Sequence, residues 1–302
     1  ALDFVLNGET PDLVISGINE GENVGANIAI SSGTVSAAAT AIQRNIPAIA
    51  VTAGTARDES FEIDEAALEA AYEVGAQTVL DLIAKLQRTG GEGLLPEGTG
   101  LNVNIPARVE EMEGIALTRL DDTGTFDLFV GELAPDTPGL LFRPGQPLEP
   151  QDITVADSEG QNFLADFLTI TPIDGDWTGS ENDRVNIQDR IAAAPEDATA
   201  TPLNILLTND DGFDSPGIES LYNALTAAGH TVTLVGPFEQ QSGTGTSLDV
   251  DKILQPLDIV NPEGDKWYVD AGVRTTTWAG LDFVLDGEAP DLVISGINEG
   301  EN

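Results

Sequence analysis

Two rhythms of apolar and polar residues run along this chain: short unbroken apolar stretches, and longer stretches with helical spacing. Leu203–Thr208 (LNILLT) has the first and predicts a buried parallel strand. Past NDDGFDSPG, Ile218–Ala228 has the second and stops at Gly229, a C-cap residue. Thr231–Gly236 (TVTLVG) reads as another strand, Arg274–Leu285 as a helix and Asp291–Ser295 (DLVIS) as a third strand. The N-terminal part continues from that point. Asp12–Ser16 is the same strand, followed by a small-residue helix at Gly33–Gln43 and a strand at Ile46–Thr52. A long amphipathic helix at Ile63–Arg88 and strands at Leu101–Ile105 and Leu168–Ile173 complete the pattern. Between Arg119 and Asp166 the periodicity weakens among Pro, Gly and short strand-like pieces. Gly175–Thr201 is polar, small and acidic, and reads as a junction. Strands alternating with helices predict an α/β fold, a mostly parallel sheet covered on both faces, with a less regular β-rich extension.

One segment occurs twice. ALDFVLNGETPDLVISGINEGEN opens the chain and GLDFVLDGEAPDLVISGINEGEN closes it, matching at 20 of 23 positions with an offset of 279 residues. Here the expectation is a window across two consecutive copies of a domain of roughly 279 residues. Residues 1–186 are then the later part of one copy, 187–202 a linker, and 203–302 the first part of the next. Residues 1–23 and 280–302 compete for one place in the sheet, so both cannot fill it in a single domain. Neighbouring copies, arranged head-to-tail, are the partners this implies.

Charge narrows the functional classes. The chain has 52 acidic and 12 basic residues, a formal −40, which repels nucleic-acid backbones and anionic headgroups. No polynucleotide partner is expected. With no apolar run near the ~20 residues a span needs, no membrane insertion is expected either. Such a surface suits high salt or a calcium-rich exterior, and the expectation leans to an extracellular setting over the cytoplasm of a halophile. Without cysteine there is no thiolate chemistry and no disulfide.

Three stretches carry candidate chemistry. In LLTNDDG (Leu206–Gly212) the adjacent Asp210 and Asp211 follow a buried strand, where open α/β sheets bind ligands. Two ionised carboxylates side by side call for a cation, and a hard ion such as Mg²⁺ or Mn²⁺ fits oxygen donors, with Ca²⁺ a candidate for the acidic surface. An Asx-turn that caps the next helix explains the same spacing. GPFEQQSGTGTS (Gly236–Ser247) is a Gly/Ser loop, either an anion cradle or a connector. In Ser16–Ala38, Asn19 and its twin Asn298 lie just beyond a strand end. Ser32, Gly33 and Thr34 open a helix, either as a phosphate grip or as an ordinary N-cap. His230, the one histidine, follows Gly229 at a helix end and reads as a cap. The run from Asp58 through Glu69 reads as a solvated helix face, and Trp177, Trp267 and Trp278 as packing residues.

Taken together, ILLTNDDG-x-x-SPGI, GP-x-x-x-QSG, PDLVISGIN-x-G-x-N-x-G, SGTV-x-A, IPAIAVT, LNVNIP and ITPID resemble the SurE (survival protein E) family of 5′/3′-nucleotidases. The resemblance implies a Rossmann-like three-layer fold and a divalent-metal-dependent phosphomonoesterase that acts on nucleoside monophosphates. It assigns the metal to Asp210, Asp211, Ser242 and Asn298, with Asn19 equivalent in the other copy. Asn209, Ser32, Gly33 and Thr34 would lie near the phosphate. Two stretches depart from the family: AGVRTTTWAG (Ala271–Gly280) replaces a Gly-Thr-Pro segment, and LDDTGTFDLFVGELAPDTPG (Leu120–Gly139) replaces a basic, aromatic one. These departures and the charge also suit the alternative, a structural repeat or filament protein built from SurE-like domains with little or no catalysis.

Overall fold

The structure, a computed structural model, describes residues 10–56, 63–88, 94–176, 180–193 and 201–298. The chain divides into two units, one of residues 1–126 and 144–177, the other of residues 127–143 and 178–302. Chain order in the first is β1 (Val14–Glu20), α1 (Ala26–Ala29), α2 (Gly33–Ile42), β2 (Ala48–Ala53), α3 (Glu65–Arg88), β3 (Thr99–Ile105) and β4 (Gly114–Leu117). The hairpin of β5 (Phe126–Ala134) and β6 (Thr137–Pro144) follows, then α4 (Glu159–Leu164) and β7 (Phe167–Asp174). The second unit has α5 (Glu181–Ala193), β8 (Asn204–Thr208), α6 (Pro216–Ala227), β9 (Thr231–Pro237), β10 (Ile259–Glu263), β11 (Lys266–Val269), α7 (Val273–Trp278) and β12 (Leu292–Ser295).

In the first unit the sheet order is β1-β2-β3-β7-β4, parallel except where β3 meets β7. Strand alternation sorts β2 onto two faces. Ala48 and Ala50 pack with Val35, Ala38, Ala41 and Ile42 of α2, and small side chains there let that helix come close. Ile49, Val51 and Ala53 pack with Leu68, Ala71 and Val79 of α3 and with Val103 and Ile105. Every residue of β2 is buried, as a strand covered on both faces requires. This is the three-layer arrangement expected from the apolar runs.

In the second unit the order is β10-β11-β9-β8-β12, with only β10 antiparallel. Ile205, Leu207, Val232 and Leu234 pack against Ile218, Leu221 and Leu225 of α6. On the other face Gly280 lies against Leu206 and Val235, where a Cβ would meet the Leu206 methyls at 2.9 Å.

Several expectations change. The helix expected at Arg274–Leu285 is divided into α7 and a π-helical turn, Ala279–Val284, where the backbone closes onto Leu206. The junction expected at Gly175–Thr201 contains α5, exposed along its described side chains. Ser180 starts it: its hydroxyl accepts from the Asp183 amide at 3.2 Å and donates to the Asp183 carboxylate at 2.6 Å. A reciprocal cap of that kind nucleates a helix that hydrophobic spacing does not announce. The weakly periodic stretch yields β5–β6, and residues 127–143 group with the second unit. There Leu140 is fully buried, and the Leu254 amide donates to its carbonyl at 2.7 Å. Trp177, residues 58–62 of the acidic run and the outermost residues of the repeated segments lie outside the described residues. Glu65 and Glu69 of that run are exposed. Trp278 packs under the Arg274 guanidinium at 4.7 Å from the ring centroid. His230 accepts from the Leu203 amide at 3.1 Å, a structural role at the end of α6.

Candidate functional site

In the second unit the candidates gather at the carboxyl ends of β8, β9 and β12. Asn209, fully buried, uses its amide to hold the loop: it donates to the Gly212 carbonyl at 2.9 Å and to Ser215 Oγ at 2.8 Å. Its donor group therefore works inside the turn. The Asp210 carbonyl accepts from the Gln241 amide at 2.6 Å, which ties the Gly/Ser loop to the end of β8. Gln240 Nε2 reaches Asp211 Oδ1 at 3.5 Å and Ser242 Oγ at 3.2 Å, so one side chain brings the carboxylate and the hydroxyl together. Asn298 follows the end of β12, where the Ile297 carbonyl lies against Gly217 at the start of α6 with no room for a side chain.

Carboxylates, a hydroxyl and an amide make an all-oxygen donor set that suits Mg²⁺ or Mn²⁺. Two buried side-chain oxygens at the same strand end, Thr208 Oγ1 and Asn209 Oδ1, have no hydrogen-bond partner among the described residues. Among the described residues no group of three or more His, Cys, Asp or Glu gathers, which accords with a set completed by Ser and Asn. The residues fit the ion.

The first unit holds the other candidates. Asn19 does not lie beyond the strand as expected: a register shift after Ser16 carries β1 on to Glu20, so Asn19 sits within it opposite Thr52, and its side-chain amide donates to the Glu20 carbonyl at 2.9 Å. Ser32 caps α2, accepting from the Val35 amide at 3.2 Å, so the ordinary cap is realised. Gly33 is exposed with nothing within 4 Å of a built Cβ, which leaves the helix start open to an anion.

Between Asn19 and Ser32 lies a network that sequence reasoning missed. Glu159, fully buried at the start of α4, accepts from Thr171 Oγ1 at 2.6 Å, Asn102 Nδ2 at 3.0 Å, Asn104 Nδ2 at 3.4 Å and the Gly25 amide at 2.8 Å. Asn23 joins the cluster: its amide donates to Asn104 Oδ1 at 3.0 Å and its Nδ2 to Thr52 Oγ1 at 2.7 Å. The segment leading to the helix start is thus pinned from beneath. Asparagines at alternate positions of an otherwise apolar strand, LNVNI, were the available signal.

Burial, with Asp121 adding repulsion, raises the Glu159 carboxyl above its ordinary value of 4.5 despite the hydrogen bonds that oppose it. Burial likewise raises Glu22 and Asp166. An acid raised on folding contributes stability that is complete below the unfolded value and is lost as pH rises through the folded one. The first unit should therefore melt at a higher temperature near pH 5 than near pH 8. A thermal scan across that range checks this, and a profile rising with pH contradicts it.

The sequence profile of the family described as Survival protein SurE matches residues 1–125 and 205–302. The 5'-nucleotidase SurE of Gloeobacter violaceus is 43% identical over 103 residues, 33% of this chain and 39% of that protein. That of Desulfovibrio desulfuricans is also 43% identical over 103 residues, covering 38% of its length. The match spans about two fifths of these curated relatives. The crystal structure of SurE protein from Aquifex aeolicus aligns at a TM-score of 0.46 and 29% identity, over 63% of this chain and 69% of that one. Because the profile takes in both the Asp210–Asp211 strand end and the Ser32–Thr34 helix start, over most of the chain, this protein belongs to the SurE family.

Proposed function

We propose that this chain is a divalent-metal-dependent phosphomonoesterase of nucleoside monophosphates, built from SurE domains in tandem. The observation that carries it is the joining of Asp211 and Ser242 through Gln240, beside Asp210, at the carboxyl ends of parallel strands. Asp210, Asp211, Ser242 and Asn298 would hold Mg²⁺ or Mn²⁺, with Asn19 taking Asn298's place in the other copy. Bound there, the ion would offset substrate charge on a protein of net −40 and polarise the phosphoryl group. The amides at Gly33 and Thr34, freed by the start of α2, would bind the phosphate oxygens. Asn209 keeps the aspartate loop in shape, and the Glu159 network keeps the segment before Ser32 in place. A structural array is the second reading. It is favoured by the outer edges of β1 and β12, which pair with no further strand among the described residues.

Phosphate release from a panel of nucleoside 5′- and 3′-monophosphates tests the proposal, with Mn²⁺, Mg²⁺ or EDTA, at low and high salt. Release that needs metal is expected. A folded chain that binds Mn²⁺ and releases nothing from any nucleotide establishes the structural reading.

A further inference from the structure

Three aromatic rings meet at the carboxyl end of the second unit's sheet. Tyr268 of β11 touches both of the others: its ring centroid is 4.9 Å from that of Phe213 and 4.9 Å from that of Phe238, tilted by 40° to each. Ring pairs of this kind hold one another in place beyond the area they bury. Phe213 also packs against the core cluster under α6, so one end of the cluster is rooted in the interior. The other end is open to solvent, with Phe238 49% exposed.

Backbone bonds fix where the exposed ring stands. The Phe213 amide donates to the Pro237 carbonyl at 3.0 Å, and the Gln241 amide to the Asp210 carbonyl at 2.6 Å. Phe238, Glu239 and Gln240 therefore form an arch closed at both ends onto the turn that carries Asp210 and Asp211. The Phe238 amide donates in turn to the Val269 carbonyl of β11 at 2.9 Å. Gly236 permits this close approach, since a Cβ there would meet Phe213 Cα at 2.6 Å. The same arch carries Gln240, which reaches Asp211 and Ser242. Phe238 and Ser242 are four residues apart, so their Cα atoms lie within about 14 Å of each other.

We propose that Phe238 is the platform on which the nucleobase of the substrate stacks, so that this protein selects nucleotides over other phosphate esters through an aromatic contact. The position of the phosphate in this inference rests on the phosphatase reading; the contact with the base does not. A phenyl ring has no polar atom to offer water, and one backed by Tyr268 beside the metal ligands presents a flat apolar surface. Every base has a π face that such a surface accepts. The contact also suits the charge of the chain. At a net −40 with 12 basic residues, a ring needs no counter-ion to hold a substrate, and salt that screens charged contacts leaves stacking in place.

Two measurements on the full chain test this, each with wild type, Phe238→Leu and Phe238→Trp. The first compares kcat/KM for AMP and for ribose 5-phosphate, which present the same 5′-phosphate with and without a base. The wild type should favour AMP, and the leucine variant should lose about tenfold of that preference while the tryptophan variant keeps it. The loss should fall in KM, because the ring holds the base equally before and during phosphate transfer. The ratio cancels any general damage to the fold. The second is saturation-transfer NMR with adenosine, which has no phosphate to lose. Transfer to the base protons is expected for wild type and tryptophan and not for leucine. An active wild type without preference for AMP, or a leucine variant with the wild-type preference, overturns the proposal. So does adenosine transfer that is absent from the wild type or unchanged by leucine. A wild type that releases phosphate from neither ester, yet binds adenosine through Phe238, refutes the phosphatase reading and keeps the platform.

Discussion

Asparagine at position 211 should abolish metal-dependent phosphate release, lowering kcat/KM by at least about a hundredfold. The change removes one full negative charge from the paired carboxylates and leaves the side-chain shape intact. Gln240 still reaches Ser242, and the loop remains held by Asn209 through Gly212 and Ser215. Thermal stability without metal should therefore change by no more than about 0.5 kcal/mol. Adding Mn²⁺ should raise the melting temperature of the wild type and not that of the variant, because only a ligand that binds the folded state stabilises it. Equal activity and an equal Mn²⁺ shift in the two proteins would remove Asp211 from the site.

Alanine at Glu159 should be the most damaging single change to the first unit, at about 3 kcal/mol or more. It takes the shared acceptor from four buried donors, Thr171, Asn102, Asn104 and the Gly25 amide, and leaves the two asparagines only the Asn23 carbonyl and Thr171 only the Thr118 hydroxyl. The segment from Asn23 to Gly25 loses its anchor, so amide exchange there should rise along with the global loss. Glutamine should cost less, since its carbonyl still serves Thr171 and the two asparagines and only the Gly25 contact turns repulsive. Chemical unfolding of the first unit, followed by hydrogen exchange, measures both. A loss below about 1 kcal/mol for the alanine variant would show that the donors find other partners.

What could be read before folding was whatever periodicity and turn chemistry encode locally. The runs at Leu203–Thr208 and Ile46–Thr52 became strands buried on both faces, because only such strands need unbroken apolar residues. The twin segments announced themselves by identity. Asp210, Asp211 and Ser242 were legible because each closes a strand or sits in a Gly/Ser loop of recognisable composition. Gln240 was not, since its role comes from reaching two residues that only the fold brings near it. Glu159 was invisible for the same reason: an acid in a weakly periodic stretch looks solvated until four donors surround it. The helix α5 was hidden by its composition, as its start depends on the Ser180–Asp183 exchange and not on an apolar stripe.

The hairpin has an implication for how the chain can be cut and rejoined. It leaves the first unit after Phe126 and returns at Pro144, and the Gly145 amide bonds the Thr125 carbonyl at 2.7 Å across its base. The stems already touch, so a short turn could replace the excursion without moving β4 or α4. The first unit is in this sense a finished module with a docking port for insertions. The second unit draws on that excursion, since the fully buried Leu140, which bridges to Ile253 and accepts from the Leu254 amide, is supplied from within the span of its neighbour's sequence.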